Sequence, residues 1–480
     1  MSTDVNLLAT APVLAPLLAA VLVLLLDAAL PGRREAHLLI AVAGLLGGVL
    51  GVLPGLAQGP GDSLGAFCLA SGPCLYEAGR LTSVLQLTAL LAAGVVLVLA
   101  WKDWATPSAT GRAPVVAALV LGATGGVVAV PAAGDLGSLL VALELSTLPT
   151  VALVVLTDPR WSDGRRARAV DGAVALLLTS VVSFALIALG AALWVAATGT
   201  ALLATPPVPE PTLLVLASVF LLGGLAFKVS AVPFHAWTPI TYTTAPLPVT
   251  AYLSTVSKVA ALGGLLVLIR ALGAAEETTL LAVALLAAAS MTVGNLVALT
   301  QTDTVRLLAW STVAQAGWVL LPLATLSARA ANAAGSYLVV YVLGTLLAFV
   351  VVAAVAVSGT ALEDHRGLLR TRPLLAVPLA LALLTLAGLP PAVVGLVAKV
   401  IALRPVVGDG MWWLALVAAV NVALGIAVYV RWLAVVVAVP TLRTAHDRSA
   451  GPTTPFTTWV LVGVLSLLVV VLSIAPVGIF

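Results

Sequence analysis

The chain has 480 residues, 62% of them hydrophobic and 9% charged, with a mean hydropathy of +1.19. That composition excludes a water-soluble surface and defines a polytopic membrane protein. The net charge of +3 does not mark a nucleic-acid binder, because the basic residues are scattered through short connections and form no continuous patch.

Fourteen apolar segments, each near the ~20 residues a helix needs to cross ~30 Å of hydrocarbon, are predicted at about 7–29, 37–57, 83–101, 113–130, 134–157, 171–197, 212–238, 247–271, 278–300, 306–326, 332–357, 373–403, 411–435 and 457–478. The expected fold class is all-α. No basic residue precedes the first segment, which reads as a transmembrane helix rather than a cleaved signal peptide. Cys68 and Cys74, the only cysteines, lie in AFCLASGPCLY between the second and third segments, either as a disulfide or as two loop thiols. Two thiols are too few for an iron–sulfur cluster, and no Walker A or strand-linked GxGxxG occurs, so no redox cofactor is expected in this chain.

Four charges fall inside the apolar runs. Glu144 lies in the fifth, sharing a helical face with Thr147; Lys228 in the seventh; Lys258 in the eighth, with Ser254 and Thr255 one turn earlier; Lys399 in the twelfth. An ionisable group at mid-bilayer costs roughly 2.5–3.5 kcal/mol, so it marks a partner or a task. Each lysine could instead pair with an acid to fix packing, or snorkel; Lys258, about ten residues from either end of its segment, is poorly placed for the latter. Opposite charges ~4 Å apart attract by about 4 kcal/mol at an effective dielectric of ~20, enough for parting Glu144 from Lys228 to drive proton release.

Helix breaks accompany these charges. Pro233 cannot donate to the carbonyl of Val229 in the seventh segment, and Pro390 and Pro391 free those of Leu386 and Ala387 in the twelfth, creating sites for ordered water beside Lys228 and Lys399. Two broken helices five segments apart predict inverted repeats, helices four to eight against nine to thirteen. The domain plan is then about 1–112 for three leading helices, 113–271 and 278–435 for the repeats, and 457–480 for the last helix.

Fourteen Lys or Arg residues, among them Arg160, Arg165, Arg166, Arg443 and Arg448, fall in one set of alternate connections, against four, Arg80, Arg270, Arg329 and Arg404, in the other. The richer side is predicted to be cytoplasmic, with both termini outside.

The stretch FKVSAVPFHAWTPITYTTAPLPVTAYLSTVSKVA, residues 227–260, resembles the signature of the N-subunit family of bacterial proton-translocating NADH:quinone oxidoreductase, complex I. LELSTLP around Glu144, GNLVALTQTDTVRLLAWSTVAQAGW at 294–318 and AGLPPAVVGLVAK at 387–399 extend the resemblance, which covers about residues 115–435. It implies an antiporter-like fold and a hydrated charged axis for proton translocation. In it Glu144 modulates Lys228, Lys258 is central and Lys399 lies near the outward exit. It implies a bacterial plasma-membrane location beside other complex I membrane subunits, with NADH, FMN, iron–sulfur clusters and quinone handled elsewhere. His235 fits the family's PFH motif, as a proton relay or as a hydrogen-bonded cap at the break.

Ile240 stands where the pattern has Asp, Thr243 and Thr244 replace the usual residues before AP, Val305 stands where Lys is common, and GAVALLLTSVVSFALIALG lacks an expected sixth-helix lysine. These departures concern the cytoplasmic entry route more than the central axis. Multi-subunit Na+/H+ antiporter (Mrp-type) subunits resemble the same pattern and share the acid and lysines. The other complex I pumping subunits usually carry an acid where Lys399 stands, and the largest adds a lateral helix that a chain ending at Phe480 would lack. A membrane scaffold that moves no protons is the third expectation.

Overall fold

A computed structural model describes residues 6–69, 72–104, 112–156, 161–204, 211–272, 277–356, 359–440 and 454–475. Arg160, Arg443, Arg448 and both chain ends lie outside the described residues. In chain order the elements are α1 (Leu7–Ala29), α2 (Arg34–Leu56), β1 (Ser63–Cys68), β2 (Cys74–Gly79), α3 (Arg80–Trp104), α4 (Arg112–Ala129), α5 (Leu136–Val155), α6 (Asp163–Thr198), α7 (Pro211–Val229), α8 (Trp237–Thr244), α9 (Leu247–Ser254), α10 (Val256–Leu272), α11 (Glu277–Ala298), α12 (Thr304–Leu323), α13 (Ala330–Val355), α14 (Leu368–Thr371), α15 (Pro373–Ala387), α16 (Val393–Gly408), α17 (Trp412–Val437) and α18 (Phe456–Ile474). They form two compact units: Met1–Val229 with Thr244–Thr279, and Ser230–Thr243 with Leu280–Phe480.

Among the described residues, 12 helices are long and apolar enough to cross a membrane. Two of the fourteen predicted segments are absent from that set, for different reasons. α12 is long enough but carries Ser311, Thr312 and Gln315, and every residue in it except Arg306 and Trp310 is buried. A helix enclosed by other helices does not need an apolar surface all round. The twelfth segment is instead two helices, α15 of 15 residues and α16 of 16.

Helix boundaries follow their caps. Asn6 accepts from the backbone N–H groups of Leu8 and Ala9 to start α1, and Asp135 does the same for Gly137 and Ser138 at α5. α6 starts on Ser162 and ends on Gly199 at φ +74°, the left-handed position where glycine carries no Cβ penalty. At 36 residues it is longer than the predicted 171–197, and its first turns take up Arg165, Arg166 and Arg168.

Three local features interrupt the all-helical pattern, the last of them the expected break at Pro390 and Pro391. β1 and β2 form an antiparallel hairpin with Ser63 opposite Gly79 and Cys68 opposite Cys74, and the two cysteines are disulfide-bonded. A Cβ on Gly65 would stand 2.6 Å from the Cys74 sulfur, so this strand position must be bare. The hairpin is anchored by Tyr76, whose hydroxyl accepts from Gln86 Nε2 at 2.8 Å while the second amide hydrogen goes to the Val128 carbonyl at 2.8 Å. The eighth segment is interrupted at Thr255, because the hydroxyls of Ser254 and Thr255 both turn back to the Ala251 carbonyl, at 3.1 and 2.6 Å, and compete with the helical ladder.

The third feature is the break between α15 and α16. Gly388 adopts φ +78° to end α15, and a Cβ on Gly395 would fall 1.9 Å from the Thr385 carbonyl oxygen. Backbone on both sides leaves no inexpensive relief. Gly395→Ala is expected to destabilise the protein by about 3 kcal/mol, read as a lower thermal midpoint of the detergent-solubilised protein, whereas Gly408→Ala, with nothing within 4 Å of its Cβ, is expected to leave the midpoint in place.

Candidate functional site

In the first unit, Lys228 at the end of α7 points its ammonium at three groups. Nζ donates to Glu144 Oε1 on α5 at 2.9 Å, to Thr147 Oγ1 one turn further on at 3.0 Å, and to Ser180 Oγ on α6 at 2.9 Å. The Lys228 and Glu144 side chains are 8% and 20% exposed, so the pair sits in a low dielectric where attraction is strong and neither charge is left alone cheaply. Three donors meeting three acceptors complete the ammonium's inventory. Ser180 lies in the helix stretch that lacks a lysine, and its hydroxyl was not anticipated from sequence.

Lys258 on α10 meets the same end of α7. Its Nζ lies 3.3 Å from the carbonyl oxygens of both Lys228 and Val229, the last two residues of α7. Both acceptors are free for a local reason. Pro233 has no N–H for Val229, and the N–H of Val232, which a continuing helix would aim at Lys228, donates instead to Ser290 Oγ at 2.9 Å. The ammonium therefore fills the position predicted for ordered water, and it is Lys258 rather than Lys228 that meets the freed carbonyls. Lys258 is 1% exposed, and its charge faces the negative end of the α7 dipole. Close packing around it uses Gly263 and Gly264, whose Cβ positions would lie 3.1 Å from Pro131 and 3.2 Å from Leu225.

The second unit repeats the arrangement with different parts. Lys399 on α16 reaches back to the Ala387 carbonyl at 2.7 Å, one of the two acceptors freed by Pro390 and Pro391. The other, Leu386, faces Gln315 Nε2 at 3.5 Å. The Trp318 ring lies 5.3 Å from Lys399 Nζ. His235 is half-buried with its ring 5.0 Å from Trp310. Its backbone carbonyl, accepting from Thr238 N–H at 2.9 Å, begins the turn into α8, while its imidazole is not placed beside any of the four charges by the contacts seen. Ile240 is exposed and Val305 is buried; Thr243 Oγ1 donates to the Pro239 carbonyl at 2.8 Å.

Sequence reasoning also missed a buried polar cluster around Gln315, Tyr337, Tyr341 and Tyr429, and Asn421, whose side chain joins Asn295 and Thr292 at 3.0 Å each. Their signal was one polar residue per turn within apolar helices, which reads as neutral unless neighbours are known. Among the described residues no group of three or more His, Cys, Asp or Glu gathers as a metal site would.

Residues 133–425 match the family described as NADH:quinone oxidoreductase/Mrp antiporter, transmembrane. The chain belongs to this family. A relative in Salinispora tropica, NADH-quinone oxidoreductase subunit N, is 43% identical over 438 residues, covering 86% of this chain and 82% of its own. Among solved structures, a chain of respiratory complex I from Thermus thermophilus superposes with a TM-score of 0.80 at 31% identity, covering 97% of both chains. A chain of the Mrp complex from Dietzia gives 0.85 at 20% identity, covering 98% of this chain and 95% of that one, a likeness of fold alone. The family match encloses Glu144, Lys228, Lys258 and Lys399. Chains of both complexes share this fold, so architecture does not separate respiratory complex I from the Mrp complex, while the higher identity lies on the complex I side.

Proposed function

We propose that the chain is the antiporter-like N subunit of a bacterial proton-translocating NADH:quinone oxidoreductase. In this reading it moves protons along Glu144, Lys228, Lys258 and Lys399 while NADH, FMN, iron–sulfur clusters and quinone react in neighbouring subunits of the membrane complex. The observation that carries it is the Lys228–Glu144 ion pair at 2.9 Å beside a helix end held by Lys258. An ammonium shared between a carboxylate and two hydroxyls is stable as a cation. When the carboxylate's charge is drawn away, the hydroxyls alone hold it far less, and the lysine gives up its proton. Lys258, which donates to the neutral carbonyls at the end of α7, is suited to accept and pass on the charge, and Lys399 repeats that chemistry in the second unit.

Fourteen crossings are counted by adding α12 and the α15–α16 pair to the 12 apolar helices. The inverted-repeat reading of helices four to eight against nine to thirteen draws support from the two breaks: Ser230 at φ +69° and Gly388 at φ +78° end α7 and α15, each three residues before a proline, Pro233 and Pro391. The Lys and Arg bias supports outward termini in the bacterial plasma membrane. His235 has the weakest claim to a relay role.

The Mrp-type antiporter is the second reading, favoured by the shared fold. The chains that co-purify with this one from native membranes decide between them. NADH-oxidising and quinone-reactive subunits are expected; recovery of antiporter subunits alone, with proton movement indifferent to NADH, overturns the proposal.

A further inference from the structure

Lys399 is 5% exposed, and among the described residues it makes no ion pair. The helices packed most closely on α16 are α12, α13, α15, α17 and α18, and none of these, nor α16 itself, contains an Asp or Glu. Their ionisable side chains are Arg306 on α12, Tyr337 and Tyr341 on α13, and Tyr429 and Arg431 on α17, with Arg404 on α16 itself. None supplies a negative charge to balance an ammonium at neutral pH.

What the ammonium does have is the Ala387 carbonyl and, 5.3 Å away, the ring of Trp318, a separation within the range of cation–π attraction. The ring is held in place from behind. Tyr337 stacks on it at 5.9 Å with 19° between planes, and the Tyr337 hydroxyl donates to Gln315 Oε1. Gln315 Nε2 donates to the Tyr429 hydroxyl at 2.8 Å, and the Tyr429 and Ser311 hydroxyls share a hydrogen bond at 2.6 Å. A side-chain amide in the midst of this series cannot pass a proton along as a hydroxyl can. The series is therefore a rigid frame and not a proton wire.

We propose that Trp318 is the charge partner of Lys399, its ring face taking the part that Glu144 takes beside Lys228, with Tyr337 and Gln315 as positioning residues. A ring face holds an ammonium more loosely than a carboxylate does. Its effect on the protonation constant is roughly tenfold, or about 1.4 kcal/mol.

The inference rests on Lys399 being a proton carrier, and the test separates the two ideas. NADH-driven acidification of inverted vesicles is measured across pH for assembled complexes carrying Trp318→Leu, Trp318→Phe or a trifluorinated tryptophan at position 318, with Lys399→Ala alongside. Loss of the ring in Trp318→Leu is expected to move the alkaline limb of the profile about one pH unit lower, and Trp318→Phe less. The fluorinated ring keeps the shape and removes the charge on its face, so it is expected to act as Trp318→Leu does even where that variant assembles poorly. Tyr337→Phe and Gln315→Leu are expected to shift the limb the same way by smaller amounts; no shift removes them as positioning residues. An unmoved limb with the fluorinated ring, while Lys399→Ala abolishes pumping, overturns the role of Trp318. Unchanged pumping by Lys399→Ala overturns instead the reading of Lys399 on which it stands.

Discussion

Lys258→Ala is expected to reduce NADH-driven proton pumping at least tenfold while the chain remains in its complex. The substitution removes a charge that is costly to bury and leaves the Lys228 and Val229 carbonyls without their partner, a loss of about 1–3 kcal/mol, so the membrane fold survives. Lys258→Arg is the sharper variant. A guanidinium is able to cap the same carbonyls and keep the positive charge, but it does not deprotonate in the physiological range. Assembly at wild-type level with pumping below about a tenth of wild type is expected for it. If the arginine variant pumps normally, Lys258 is only a cap for the broken helix, and the scaffold reading gains the ground that the carrier reading loses.

Glu144→Gln is expected to have the second-largest effect. The amide still accepts a hydrogen bond from Lys228 Nζ at the observed 2.9 Å, but the opposite charge is gone. Breaking a buried pair costs about 3–5 kcal/mol, discounted here to about 2–3 kcal/mol because Glu144 retains 20% exposure and so some solvent screening. Pumping is expected to fall about tenfold or more, with a lower thermal midpoint for the solubilised complex. Adding Lys228→Met to Glu144→Gln removes the stranded cation, so the double variant is expected to recover thermal stability without recovering pumping. Recovery of both would mean that the pair serves packing alone.

Which residues carry charge was legible in the sequence; what those charges touch was only partly so. Glu144, Lys228, Lys258 and Lys399 stood out because apolar neighbours make a buried ion conspicuous, and the prolines identified which carbonyls would be freed. The pairing of Glu144 with Lys228 followed from a motif. The contact of Lys258 with the end of α7 did not, since it depends on Val232 diverting its N–H to Ser290, residues 58 apart in sequence. Trp318 escaped notice because a tryptophan in a membrane helix reads as an apolar or interfacial side chain until something cationic faces it. The hairpin is not legible in the sequence because its strands are only six residues each and flanked by Gly and Pro. The break at Thr255 was hidden because hydroxyl back-bonding leaves no proline to announce it.

The assignment of Ser230–Thr243 to the same compact unit as Leu280–Phe480 bears on biogenesis. These fourteen residues leave the ribosome before the helices among which they pack, including α11 with its Ser290 hydroxyl. Until α11 and α12 have been inserted, the segment after α7 lacks its structural surroundings, and the turn that exposes the Lys228 and Val229 carbonyls has no reason to be set. The turn that follows α7 is thus completed late in translation, by a hydroxyl encoded 58 residues downstream of Val232, and a partial chain emerging from the insertion machinery holds the sequence of the broken segment without yet holding the partner that shapes it.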